Sequence, residues 1–380
     1  MVLARTIYGD NYEILLKKGV KLTEDYINRL KAKGYKRIYV DTEETADIVL
    51  QDPISDKIRL MSTKNVLEVY NVTLSSLADI EAHTNDAVLK CIETKIRKTF
   101  QESHAFKQLL NGVNSFLDEI LNQDVLSGLN SIKTTDNYTY EHSIDSTIIA
   151  LFIAKKIFLE KKKLRQLAVG GFLHDIGKIF VDDKILNKPG KLTAEEFNLI
   201  KLHTSYGYEL LKDIETIGMV SAHIAFQHHE RQDGKGYPRG LLGSNLLDTD
   251  EIAYVEKDKL VLHAEIASVA DFYDACISDR PYRPAMPPDT VYELVRQGAG
   301  TQFNKELVDC FLNVVPKYPL GSEVIIKDGF YKDFTGYVLS LNPQQLSKPK
   351  IIILYDARKN KIEPIEIDLC GNNSTDIKCV

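Results

Sequence analysis

The residue types best suited to chemistry are concentrated in one stretch, Phe172-Leu173-His174-Asp175-Ile176-Gly177-Lys178, where an imidazole and a carboxylate adjoin and an ammonium follows three residues on. His142 precedes it; His203 and the adjacent pair His228-His229 come after. These five of the nine histidines, with His223 lying between them, fall within a span of under a hundred residues, interleaved with carboxylates. Neutral imidazole and carboxylate together suit a borderline or hard divalent metal such as iron or manganese. Two such metals held close together suit the cleavage of a phosphate ester.

A lone His-Asp dipeptide occurs by chance, and a lone helical histidine is more often a surface or core residue than a ligand. The weight lies in convergence. Asp175 has two oxygens with which to bridge two cations, and Asp271 would close the site from a separate helix. His228 and His229 cannot point the same way on a regular helix, so one is expected to bind from a helix end or from another angle. The remaining histidines are read as structural. His83 and His104 are expected on solvent faces, while His223 and His263 are expected to be neighbours rather than ligands.

Composition narrows the class. The apolar share of 44% and charged share of 27% are those of an ordinary globular protein, and 380 residues suffice for two or three cores. A formal net charge of -6 does not suit a chain built to coat a nucleic acid polymer or an anionic membrane. An anionic substrate would need a local group of cations. Five scattered cysteines without a CxxC pair argue against a disulfide framework or zinc ribbon and fit a reducing cytosol. Arg5, Asp10 and Glu13 interrupt any signal-like apolar run, and the run from Ile148 to Ala154 is too short to span a bilayer. A cytoplasmic protein is expected.

The site must be positioned by helices. Residues 1–50 read as a small α+β unit, with strands near Ile14-Leu15-Leu16 and Arg37-Ile38-Tyr39-Val40 and a helix capped by Thr23. From Asn65 to Asn122 apolar residues recur at helical spacing, for example Phe106, Leu110, Val113, Leu117 and Leu121, with Gly112 inside that stripe. Such helices pack into a bundle or form a dimer seam. Thr193-Ala-Glu-Glu196 is a capping box opening the helix that carries His203. Leu260 to Ile277 reads as a helix bearing Asp271, and Asn304 to Val315 as the last helix. From Pro319 onward short β-rich runs separated by turn residues predict an antiparallel appendage.

Set in order, the motifs are His142; His174-Asp175; Lys178; His203; His228-His229-Glu230; Asp233-Gly-Lys-Gly-Tyr-Pro238; Asp271; and Arg280-Pro-Tyr-Arg283. The series resembles the HD-GYP family of bacterial cyclic di-GMP phosphodiesterases, within the HD superfamily of metal-dependent phosphohydrolases. The resemblance runs from about residue 135 to 315 and includes Lys188-Pro-Gly-Lys-Leu-Thr193 and Ala270-Asp271-Phe-Tyr-Asp-Ala275. Residues 1–50 and the β-rich tail also resemble segments often found before and after this domain. The implied fold is mainly α: an all-helical HD-type catalytic domain over 135–318, preceded by the α+β unit (1–50) and a helical linker or dimer segment (51–134), and followed by the β-rich appendage (319–380).

For the site, the resemblance implies metal ligation by His142, His174, Asp175, His203, His228, His229 and Asp271. It also implies that Lys178, Arg280 and Arg283 meet the substrate phosphate. Asp175 and Lys178 are the expected catalytic pair. The bland alternative for the cations is ion pairing with nearby carboxylates. Gly234 and Gly236 permit close backbone approach, placing Tyr237 against a phosphate or guanine base; read alone, this segment would be an ordinary turn. In the family the loop also serves protein partners. Some members hold a third metal through a Glu four residues before the first histidine, where this chain has Tyr138, and Glu141 would point to another side of the helix. Two metals are therefore expected, with linear pGpG rather than GMP as the main product. Glu265 stands where the family is usually basic.

The expected reaction is attack on phosphorus by a metal-activated hydroxide at a binuclear centre, in line with the leaving ribose 3′-oxygen. Competing readings are an HD phosphohydrolase acting on a mononucleotide, an alarmone or cyclic GMP-AMP, a non-catalytic cyclic dinucleotide receptor, and a structural dimer scaffold. The metal ligand set argues against the receptor.

Overall fold

The computed structural model describes residues 1–9, 13–35, 38–43, 45, 48–50, 52–77, 85–129, 138–157, 160–248, 259–279, 283–371 and 375–380. His83, Arg37, Pro281, Tyr282 and Arg280 lie outside the described residues.

The chain opens with four short strands, β1 (Val2–Leu3), β2 (Ile7–Tyr8), β3 (Ile14–Leu16) and β4 (Val40–Asp41), around helix α1 (Glu24–Ala32). β1 pairs with β4 and β2 with β3, both antiparallel. Thr23 caps α1 by accepting a hydrogen bond from the Tyr26 N–H at 3.3 Å. Leu3, Ile7, Leu30 and Tyr35 close a small core of their own.

Helices follow: α2 (Asp56–Ser75), α3 (Asn85–Cys91), a short π-helical turn (Ile92–Ile96), α4 (Arg97–Glu102) and α5 (His104–Leu121). α5 runs unbroken through Gly112, which faces α2: an added Cβ there would lie 3.3 Å from the Asn65 amide. Then come α6 (Tyr138–Ala154), α7 (Lys161–Leu173), a 3₁₀ turn (Ile176–Phe180), α8 (Asp183–Leu186), α9 (Ala194–Leu211), α10 (Gly218–Gln227), α11 (Leu262–Ile277), α12 (Pro288–Gln297) and α13 (Lys305–Leu312). The capping box at Thr193 and Glu196 is formed in both directions.

One hydrophobic core joins both sets of helices. Val66, Val69, Leu109, Phe116 and Ile120 share it with Ile148, Phe152, Leu167, Phe172, Ile266 and Phe311. Each large side chain fully buried there contributes about 1.5–3 kcal/mol. The apolar stripes of α2 and α5 are thus used within the chain. α6 is buried all the way round from Glu141 to Ala154, which is why its sequence lacks an amphipathic pattern.

The tail forms a five-stranded antiparallel sheet: β5 (Glu323–Ile326), β6 (Thr335–Ser340), β7 (Lys350–Tyr355), β8 (Lys361–Asp368) and β9 (Ile377–Cys379), ordered β8-β7-β6-β5-β9. Val324, Val338, Ile351 and Ile353 fill its separate core. The fold is therefore mainly helical, with small sheets at either end. No helix among the described residues is long and apolar enough to cross a membrane.

Candidate metal centre

Three helices and two helix ends bring the residues together. His142 sits early in α6, His203 in the middle of α9, and Asp271 in the middle of α11. α7 ends at Leu173; His174 takes the capping position and Asp175 has left the helical region at φ -99°, ψ 6°. That break turns both neighbouring side chains inward. α10 likewise stops at Gln227, so His228 caps it and His229 lies beyond the helix. Their rings sit 4.1 Å apart at 45°, each facing the centre from its own angle.

The two oxygens of Asp175 serve two sides. Its Oδ2 lies 3.5 Å from His174 Nε2 and 4.0 Å from His142 Nε2, whereas its Oδ1 lies 3.5 Å from His203 Nε2 and 3.8 Å from His228 Nε2. Asp271 behaves similarly, with Oδ1 2.9 Å from His142 Nε2 and Oδ2 3.9 Å from His229 Nδ1. Two groups of ligand atoms result, each lying within 4.8 Å of one another: His142, His174 and Asp175, and His203, His228 and His229.

Outer hydrogen bonds fix which nitrogen four of the five rings present. Nδ1 of His174 donates to the Gly171 carbonyl at 2.8 Å and that of His203 to Ile200 at 2.6 Å. Nδ1 of His228 donates to Ile224 at 3.0 Å. A carbonyl can only accept, so Nδ1 carries the proton and the inward Nε2 keeps its lone pair. His142 is held by Asp274, whose Oδ2 accepts from Nδ1 at 2.6 Å.

Electrostatics favour the ligating forms. Burial pushes His203 down to about 3 and His229 down to about 4, and it holds His228 well below the usual range. These rings are neutral near pH 7. Burial opposes charge on Asp175, yet Lys178 and the surrounding imidazoles hold its carboxyl well below the ordinary value. Burial likewise opposes charge on His142, but hydrogen bonds with Asp271 and Asp274 outweigh it and raise its pKa. His174 Nε2 and Asp175 Oδ1 are buried polar atoms with no hydrogen-bond partner in the structure. Buried polar atoms are normally satisfied, and these two face one group of ligand atoms each, which fits a cation in either group.

Lys178 pairs with Asp175 from the rim. The outer face of the cluster opens into a cavity of about 490 Å³ lined in part by Phe197, Lys201, Lys235, Tyr237 and Arg283, with His228, His229 and Asp271 among its walls. Tyr237 stacks on His229, centroids 4.7 Å apart, and its N–H donates to the His229 carbonyl at 3.1 Å. Arg283 donates to the Ala275 carbonyl at 2.8 Å. Gly236 is required by close approach: an added Cβ would meet the backbone of residues 229–231 at 2.5 Å. Gly177 is required similarly, since its Cβ would fall 1.9 Å from the carbonyl of His203. Glu230 holds the loop from inside by accepting from the N–H groups of Arg239 and Leu241.

The other histidines lie elsewhere. His104 is exposed, His223 bonds to Gln227 near Tyr208, and buried His263 faces the Lys163 carbonyl at 3.2 Å. Glu141 is engaged by Arg59 at 3.2 Å, and Tyr138 stacks on His142 with centroids 5.5 Å apart. Sequence reasoning missed three residues. Asp274, one turn beyond Asp271, was legible from that i,i+3 spacing alone. Phe197 and Lys201 belong to a wall that only the fold creates: the Lys201 Nζ lies 4.7 Å from the Phe197 ring centroid.

Residues 129–307 match the family model described as HD domain. This match spans just under half of the chain and agrees with the resemblance seen in the motifs. The chain is 28% identical over 361 residues to a cyclic di-GMP phosphodiesterase of Pseudomonas aeruginosa, covering 92% of this chain and 81% of that one. It is 38% identical over 165 residues to a cyclic di-GMP phosphodiesterase response regulator of Xanthomonas campestris, covering 43% of this chain and 40% of that one. A 3'3'-cGAMP-specific phosphodiesterase of Vibrio cholerae is 32% identical over 185 residues, covering 47% of this chain and 36% of that one. The chain thus spans most of the first relative's length and well under half of the other two.

Proposed function

We propose that the protein is a metal-dependent phosphodiesterase that hydrolyses cyclic di-GMP to linear pGpG. The observation that carries the proposal is the split of Asp175 between two sets of imidazoles. His142, His174, Asp175 and Asp271 would hold one divalent ion; Asp175, His203, His228, His229 and Asp271 would hold a second. Iron or manganese suits this donor set. Bound there, such ions supply Lewis-acid polarisation of a phosphodiester and a water of lowered pKa.

The protein's own groups supply the rest. Asp175 and Asp271 stay ionised at neutral pH, and His203, His228 and His229 stay neutral, so no proton must leave these five residues before ligation. Lys178, Arg283 and Arg280 bring positive charge to a dianionic substrate and offset charge growing on the phosphoryl oxygens. Tyr237, fixed on His229, gives the cavity a flat wall for a nucleobase. Occupation of Glu141 by Arg59, together with Tyr138 on His142, supports two ions rather than three and hence a single cleavage. The names of the two cyclic di-GMP phosphodiesterases support this substrate, and the five free cysteines suit a cytoplasmic setting.

The test is anaerobic loading with iron or manganese, incubation with cyclic di-GMP and 3'3'-cyclic GMP-AMP in parallel, and chromatography of products. Appearance of pGpG from cyclic di-GMP supports the proposal. Preference for cyclic GMP-AMP reassigns the substrate, and tight binding without turnover makes the protein a receptor.

A further inference from the structure

We propose that Arg59, on α2 and outside the segment that matches the HD domain, is a positioning residue for the metal centre: through Glu141 and Asp145 it sets the rotation of α6 that delivers His142. The inference rests on the proposed metal centre.

Arg59 is 7% exposed. Its Nη1 donates to Glu141 Oε2 at 3.2 Å and to Asp145 Oδ1 at 2.8 Å, while Nε and Nη2 donate to the two oxygens of Asp52 at 3.2 and 3.0 Å. The acceptors are as hidden as the donor, with Glu141 7% and Asp145 0% exposed. All three charges of this α2–α6 contact are therefore inside the protein.

The need for a clamp comes from α6 itself. A helix with one apolar stripe finds its rotation by burying that stripe. α6 is buried on every side from Glu141 to Ala154, so apolar packing selects its rotation only weakly. Polar groups must supply the missing specification, the best-attested use of buried charge pairs. Glu141 and Asp145 are four residues apart and share one face. His142 projects about 100° further round, toward Asp271 and Asp175. A planar guanidinium that grips both carboxylates fixes height and rotation together, so the ring of His142 arrives with Nδ1 on Asp274 and Nε2 facing the cluster. The outer end of the clamp is also anchored, because Asp52 accepts from the Arg5 guanidinium of the N-terminal unit.

Three variants test this: R59K, which keeps the charge but lacks the fork; D145N, nearly isosteric; and E102Q, at an exposed carboxylate ending α4, as control. Each is first checked for folding by near-ultraviolet circular dichroism. Manganese affinity is then measured by competition titration, and amide hydrogen exchange is followed across residues 139–150. Folded R59K and D145N are expected to bind manganese at least tenfold more weakly and to exchange faster in α6, with E102Q unchanged. Wild-type affinity in folded R59K and D145N would overturn the proposal, and if R59K does not fold, D145N decides. If the wild-type chain itself binds no manganese, the proposed function falls, and the exchange rates still decide whether Arg59 holds α6: equal rates in variant and wild type refute it.

Discussion

Asp274 accepts a hydrogen bond from Nδ1 of His142 at 2.6 Å, with both side chains 1% exposed. That contact sets the tautomer of His142, whose Nδ1 is held by a carboxylate where those of His174, His203 and His228 are held by backbone carbonyls. Removing such a partner typically costs 10–100-fold in metal affinity. Asp274→Asn is expected to fall in that range by competition titration, with activity partly recovered at high metal. Full affinity in the variant would show that Asp274 does not orient the ring.

Asp175 and the histidines differ in reach. Asp175 touches both groups of imidazoles, whereas His203 belongs to one. Asp175→Ala is expected to lose both metal equivalents and all turnover, His174→Ala to lose turnover, and His203→Ala to retain one equivalent. Elemental analysis of purified protein distinguishes these outcomes. Two equivalents retained in Asp175→Ala would remove it from the centre.

Arg283 stands on the cavity wall but is not in either ligand group. A charge-assisted hydrogen bond to substrate contributes about 1.5–3 kcal/mol. Arg283→Ala is therefore expected to lower kcat/KM for cyclic di-GMP about 10–100-fold, with metal content unchanged. Unchanged kcat/KM would assign this arginine to the Ala275 carbonyl alone.

Glu265 offers a pH test away from the metals. Burial raises its pKa from 4.5 to about 7, although Gln232 and Asn304 hydrogen-bond to it. A folded-state pKa above the unfolded one contributes stability that is present below about pH 4.5 and is lost as pH climbs through about 7. The side chain is only partly covered, so the loss is of the order of 1–2 kcal/mol. Glu265→Gln is expected to flatten this slope, gaining stability at pH 8 relative to wild type and little at pH 5. Parallel urea unfolding at the two pH values measures it, and an equal pH slope in both proteins would contradict it.

The motifs were legible because chemistry fixes residue type: the imidazoles and carboxylates stand out in any fold, and Thr193, Glu196 and the run from Leu260 to Ile277 announce the helices that carry two of them. What stayed hidden depends on approach between distant segments. Arg59 and Glu141 are 82 residues apart, and nothing local says that they meet. Gly177 carries no local sign of its role, which is to let the 3₁₀ segment touch the backbone of α9. β9 was not foreseen, since three residues, Ile377–Cys379, carry too short a pattern and their partner β5 lies some fifty residues earlier.

The most direct test of the centre is the metal dependence of the reaction itself. Protein stripped with chelator and reloaded anaerobically with manganese or iron should bind two ions per chain and open cyclic di-GMP to pGpG, with activity rising in step with the second equivalent. Full hydrolysis by the stripped protein, or saturation at no metal at all, would contradict the account.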